Sequence, residues 1–221
     1  MSRVAGQYVA VSQTITKGLK RAELIYLVDS APIATGMEDC LMNDDDLIKV
    51  KVCFIGDAGV GKTSLIKRFV LDVFDDRYIA TIGTKVTKKI VEVDDGGNQA
   101  RVMMLVWDIM GQKGFRELLR EAYFFGAHGA IAVCDLTNKE TLEELRYWIK
   151  ALTDVAGDVP IVFAGNKADL QNESVVKEAD LKDLADKYGA EAFLTSAKTG
   201  QNVEDVFKAL GAAMAAKLNS S

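Results

Sequence analysis

Gly56-Asp57-Ala58-Gly59-Val60-Gly61-Lys62-Thr63 reads as G-x-x-x-x-G-K-[ST], preceded by an apolar run from Ile48 and followed by helical periodicity from Lys62 to Leu71. A strand, a glycine-rich turn and a helix in that order form a cradle for polyphosphate. Glycines at 56, 59 and 61 let backbone N–H groups turn inward, and the helix brings the positive end of its dipole to the same point. The backbone from Asp57 through Ala58, Gly59, Val60 and Gly61 is therefore expected to wrap the phosphates. Lys62 is expected to bridge the β- and γ-phosphates, and the Thr63 hydroxyl to ligate Mg²⁺, a hard ion that takes oxygen ligands.

Outward from this loop, apolar runs of strand length alternate with longer helical stretches, the pattern of βαβ units around a largely parallel sheet. Strands are predicted over 48–56, 84–94, 100–108, 130–135, 161–166 and 192–195. Asp94-Asp95-Gly96-Gly97-Asn98 joins the second and third as a hairpin, so one edge strand runs antiparallel. Helices are predicted over 62–71, 114–124, 139–155, 177–188 and 203–218. In the last, Val203, Phe207, Leu210 and Met214 form a core-facing stripe, and Asn202 is placed to cap it. The fold class is α/β: a three-layer P-loop NTPase fold whose six-stranded, mostly parallel sheet has helices on both faces. Residues 1–46 form a separate, partly ordered extension holding one short strand or helix, and residues 47–221 form the domain.

The base is chosen elsewhere. Asn166-Lys167-Ala168-Asp169 follows a predicted strand and has the form N-K-x-D. A carboxylate there accepts hydrogen bonds from both the ring N–H and the exocyclic amine of guanine, and adenine offers no matching pair of donors on that edge. Leaving such a buried group unpaired costs on the order of a few kcal/mol, so guanine is the expected base. Thr195-Ser196-Ala197-Lys198, after the last strand, resembles the companion loop that supports the base from the other side.

Trp107-Asp108-Ile109-Met110-Gly111-Gln112 supplies the hydrolytic part. Asp108 at a strand end can hold Mg²⁺ through water, the Gly111 N–H can sense the γ-phosphate, and Gln112 can orient the attacking water. Upstream, Thr81 can add a second hydroxyl to the metal while its N–H reaches the γ-phosphate. Those contacts vanish on hydrolysis, which defines a two-state switch.

With these motifs in this order, the sequence resembles the Ras superfamily of small GTPases, over about three-quarters of the chain once flanking elements are included. Tyr78-Ile79-Ala80-Thr81-Ile82-Gly83 and Gly126-Ala127-His128-Gly129 are similar to the Rab branch in particular. The resemblance implies that Phe74 packs on the guanine, that Lys167 lies along its face, and that Ser64 sits near the α-phosphate. It also implies that Tyr78, Leu170, Ser196, Ala197 and Lys198 belong to the nucleotide site. The implied catalytic set is Gln112, Lys62, Thr81 and Gly111, and the implied metal set is Thr63, Thr81 and Asp108. The implied function is a GTP/GDP switch that hydrolyses GTP slowly, at about 10⁻⁴ to 10⁻³ per second, with an effector, an exchange factor and a GTPase-activating protein as partners.

The sequence departs from the family in three places. Ala58 stands where members carry glycine or serine, Ile109 and Met110 replace Thr-Ala of the switch motif, and no cysteine lies near residue 221 for prenylation. The first two leave open an alternative, a GTP-binding interaction module with blunted hydrolysis. The third removes the family's usual lipid anchor from this sequence and leaves residues 1–46 as a candidate for peripheral membrane contact.

Composition bounds the rest. A chain that is 49% hydrophobic and 27% charged reads as globular rather than disordered. The net charge of −5 gives no reason to expect nucleic acid as a partner. Cys53 and Cys134 lie inside apolar runs and, with Cys40, lack metal-ligand spacing, so free thiols in a reducing compartment are expected. No stretch approaches the roughly 18 apolar residues of a membrane span. A cytoplasmic monomer is the resulting expectation, although residues 1–22 hold Arg3, Lys17, Lys20 and Arg21 without an acid, as transit peptides do. His128, the single histidine, is assigned a packing role, and Asp44-Asp45-Asp46 a solvated linker.

Overall fold

The computed structural model of the chain describes residues 9–10, 47–75, 84–95, 98–109, 111 and 120–219. Its sheet has the order β1-β3-β4-β2-β5-β6-β7, with β1 Val9–Ala10, β2 Leu47–Ile55, β3 Thr84–Asp95, β4 Asn98–Ile109, β5 Gly129–Asp135, β6 Ile161–Asn166 and β7 Glu191–Leu194. Strands β4, β2, β5, β6 and β7 are parallel neighbours, while β3 pairs antiparallel with β4. In that hairpin Asp95 lies opposite Asn98, leaving Gly96-Gly97 as a two-residue connection. To the six expected strands the structure adds β1, from the N-terminal extension, which pairs antiparallel with the outer side of β3 through Val9–Val86 and Ala10–Lys85.

Burial explains why each strand has its composition. All seven residues of β5 are buried, as in a strand covered on both faces, which can be apolar throughout. In the hairpin, Val91, Val93, Val102, Met104 and Val106 point into a core while Lys88, Ile90, Glu92 and Leu105 are exposed, the alternation of a sheet covered on one face.

The helices are α1 Lys62–Leu71, α2 Lys139–Glu143, α3 Leu145–Ala156, α4 Glu178–Asp186 and α5 Val203–Asn219, with a further helical stretch at 120–124. One core lies between the sheet and α1 with α5, around Phe54, Leu65, Ile66, Phe207 and Met214. The other lies between the sheet and α2 to α4 with the 120–124 stretch, around Phe124, Leu145, Trp148, Leu152 and Leu181. These are the two faces of a three-layer fold.

The helix expected over 139–155 is two segments. Asn138 caps the first by accepting from Glu140 N–H, and at Glu144 the chain tightens, with Tyr147 N–H bonding Glu144 O at 3.0 Å, an i→i+3 turn. Of the helix expected over 114–124, residues 114–119 lie outside the described residues. Asn202 stands ahead of α5, and its carboxamide N–H donates to Leu194 O at 2.8 Å, tying the helix start to β7. His128 extends the β2–β5 pairing: its N–H donates to Lys51 O and its Nδ1 accepts from Lys51 N–H. Cys53 and Cys134 are buried free thiols, both pushed up to about 12 by burial.

Candidate functional site

The loops that follow β2, β4, β5, β6 and β7 all leave from the C-terminal ends of parallel strands, where open α/β sheets bind ligands. The first of them, 56–61, enters α1 through Gly61 at φ 99°, a left-handed conformation that excludes a side chain. A Cβ there would also collide with Asn166 Nδ2. Helix α1 has no side-chain cap at its N-terminus and no acid in its first turn. Its leading N–H groups and dipole are thus left for an anionic ligand.

Lys62 is buried, and its Nζ donates to Gly56 O at 2.7 Å and Asp57 O at 2.8 Å. These two bonds hold the ammonium inside the curve of the loop. Burial pushes its pKa down to about 8, against the pull of the Asp108 and Asp57 carboxylates. A polyphosphate would supply the negative charge that this site lacks.

Thr63 and Asp108 are brought together. The Thr63 hydroxyl donates to Asp108 Oδ2 at 2.6 Å, while Asp108 Oδ1 is buried with no hydrogen-bond partner among the described residues. Burial raises the Asp108 pKa, opposed by the Thr63 hydrogen bond and by the charges of Lys62, Lys85 and Lys67. An orphaned carboxylate oxygen beside a hydroxyl is a donor set that suits a hard divalent cation. A shallow surface depression adjoins it, lined by Thr63, Lys67, Lys85, Thr87 and Asp108 among others.

Gly111 packs directly on the loop, since a Cβ there would lie 2.5 Å from both Ala58 N and Lys62 Nζ. Ala58 itself is exposed. Tyr78, Thr81, Met110 and Gln112, named from the sequence, lie outside the described residues. Phe74 is half-buried against the α1–α5 core.

At the other end, Asn166 joins three segments. Its Nδ2 donates to Val60 O at 2.9 Å, and its Oδ1 accepts from Ala197 N–H at 3.2 Å and from the Thr195 hydroxyl at 3.4 Å. Asp169 Oδ1 accepts from the Ser196 hydroxyl at 2.6 Å, and Ala168 N–H donates to Thr195 O at 2.9 Å. Lys167, at φ 69°, places its Nζ on Asp135 Oδ2 at 2.5 Å. Leu170 N–H closes the turn on Lys167 O, and Ser64 is half-buried in the first turn of α1. Ala197 is buried and Lys198 exposed, and Arg68 of α1 holds the carbonyls of both at 2.8 and 2.7 Å.

Sequence reasoning missed Arg68, Asp135 and Trp148. Trp148 of α3 donates its Nε1–H to Asp57 Oδ1 at 2.9 Å, with both residues buried. Its spacing in α3 marks it as a core residue, and nothing local announces a partner 91 positions away. Asp135 ends a strand next to the base motif, which was the available signal.

Among the described residues no cluster of His, Cys, Asp and Glu forms an all-protein metal cage, and no helix is long and apolar enough to cross a membrane. A family model described as the Ras family matches residues 51–216. The GTP-binding protein ypt4 of Schizosaccharomyces pombe is 38% identical over 72% of this chain and 68% of its own length. The Ras-related protein RABE1e of Arabidopsis thaliana is 38% identical over 78% of each chain. The Ras-related protein Rab-37 of Homo sapiens is 39% identical over 72% of this chain and 70% of its own length.

Proposed function

This chain belongs to the Ras family and is a small GTPase that acts as a GTP-binding switch; we propose the residues that make it one. Residues 57–64 wrap the phosphates through backbone N–H groups, with Lys62 as the cation. Asp169 reads guanine, Asn166 fixes the walls of the base pocket, and residues 195–198 with Lys167, Leu170 and Phe74 complete it. The observation that carries the reading is Asn166, whose single side chain bonds both the phosphate loop at Val60 and the base loop at Ala197. A ligand with a polyphosphate at one end and a purine at the other matches that arrangement.

Thr63 and Asp108 fit magnesium, because Asp108 keeps a buried oxygen without a partner beside the Thr63 hydroxyl. Thr81 completes the proposed metal set. Held by these residues, the ion would supply positive charge to offset that of the phosphates. This chain's own residues do the positioning. Lys62 carries positive charge held by the carbonyls of residues 56 and 57. Gly111 lies against the same loop, close enough for its N–H to sense the terminal phosphate, and Gln112 orients the water. Tyr78 is assigned to the nucleotide site by the family resemblance. Hydrolysis without a partner is slow, about 10⁻⁴ to 10⁻³ per second, so an activating protein and an exchange factor act on residues 74–84 and 109–124, where an effector also reads the GTP state.

Residues 47–221 are the switch domain and 1–46 an extension. The pairing of Val9–Ala10 with β3 supports a contact between them. The protein acts as a monomer in the cytoplasm, and its extension has two readings, a tether to a membrane surface or a segment folded over the domain.

Calorimetry on nucleotide-stripped, magnesium-loaded protein tests the assignment. Strong preference for GTP over ATP, abolished in Asp169→Ala, is expected; equal affinity for both overturns it. Single-turnover hydrolysis measured with Gln112→Leu beside the wild type tests the catalytic role, and equal rates would remove Gln112 from it.

A further inference from the structure

We propose that Trp148 is a positioning residue for the nucleotide site, acting from the far side of the phosphate loop through Asp57. The inference rests on the reading of 56–63 as the polyphosphate cradle. Asp57 is held from two sides at once. Its main-chain oxygen accepts from Lys62 Nζ at 2.8 Å, and its side-chain Oδ1 accepts from Trp148 Nε1–H at 2.9 Å. Trp148 itself is 2% exposed, fixed in the core between the sheet and α3 among Leu145, Ile149 and Leu152. An indole packed on all sides is a rigid post.

One consequence follows from that geometry. The peptide joining Gly56 and Asp57 provides one of the two carbonyls that hold Lys62, and Asp57 provides the other. A side chain clamped by Trp148 fixes the rotation of that unit, and with it the position of the ammonium. Release of Asp57 from the indole would loosen the lysine.

The test is nucleotide release, measured with a fluorescent GDP analogue on the full chain, for Trp148→Phe, Asp57→Ala, Asp57→Asn and the double variant Trp148→Phe/Asp57→Ala. A hydrogen bond to a charged group is worth about a tenfold change in an equilibrium. Trp148→Phe and Asp57→Ala are each expected to speed release about tenfold, and the double variant no more than either alone, because both remove one bond. Asp57→Asn, which keeps an acceptor for the indole, should recover most of what Asp57→Ala loses. In a Trp107→Phe background Trp148 is the one remaining tryptophan, and its emission should shift on nucleotide loading. Additive effects in the double variant, or unchanged release in Trp148→Phe, overturn the proposal. Should Trp148→Phe fail to fold, equal release from Asp57→Ala and Asp57→Asn overturns it instead. A wild type that retains no guanine nucleotide sinks the functional reading itself, whereas retention with unaltered variants sinks only the role of Trp148.

Discussion

The two ends of the nucleotide site are built on opposite terms. At the base end the motif side chains are held within the protein: Asn166 bonds residues 60, 195 and 197, Asp169 bonds Ser196, and Lys167 bonds Asp135. At the metal end a carboxylate is buried with one oxygen unsatisfied, and a lysine is held where burial disfavours its charge. On the proposed assignment the base pocket is finished by folding, while the phosphate and metal end keeps groups for a ligand to satisfy.

The largest expected effect probes the finished end. Asp169→Ala should weaken GTP binding about a thousandfold while ATP binding moves only a few-fold, because one base loses both acceptors and the other had none to lose. Titration calorimetry with both nucleotides checks it. A parallel loss for ATP would mean that Asp169 shapes the pocket without choosing the base.

Asn166→Ala should cost the ligand-free protein about 3 kcal/mol by urea denaturation, since it strands Val60 O and Ala197 N–H together. Asp108→Asn provides the contrast at the other end. Removing a buried charge that the fold does not satisfy should leave ligand-free stability unchanged or higher by up to about 1 kcal/mol, while magnesium-dependent retention of nucleotide is lost. The sign with pH follows from a folded pKa raised above its unfolded value. The Asp108 contribution is present in full at low pH and lost as pH rises through the raised pKa, so the difference between Asp108→Asn and wild type should close as pH falls toward about 4. If Asp108→Asn destabilises as much as Asn166→Ala, the contrast between the ends is gone.

The smallest effect lies away from both ends, where parallel strands begin. His128 accepts a hydrogen bond from Lys51 N–H, and burial with the nearby Lys51 charge lowers its pKa. A base with a lowered folded pKa contributes stability above its unfolded value, near 6.5, and loses it as pH falls through the folded one. For an exposed residue the loss relative to His128→Gln should be about half a kcal/mol or less. Neither base preference nor magnesium dependence should follow it.

Much of this was legible in the residues. The phosphate loop, the N-K-x-D turn and the 195–198 loop are local strings whose backbone roles depend on residue type and spacing, so they could be placed before any coordinates. Element ends came within a few residues because turn and capping chemistry is also local. What stayed hidden was long-range or a matter of phase. The bond between Trp148 and Asp57 depends on the rotation of α3 about its axis, which periodicity alone fixes only to a face. The break at Glu144 is a change from i→i+4 to i→i+3 bonding inside one continuous helical pattern. The pairing of Val9–Ala10 with β3 joins a predicted strand to a two-residue strand far away in the sequence, and nothing local names that partner.

That small pairing bears on how the molecule behaves in a crowd. Two rungs cover only the start of β3 on the side away from β4, so along Thr87 to Asp95 that outer edge has no strand paired to it among the described residues. An edge left without a paired strand invites another copy to stack on, the first step toward aggregation. Lys88, Lys89, Glu92 and Asp94 lie along this stretch, and their charges make such stacking costly.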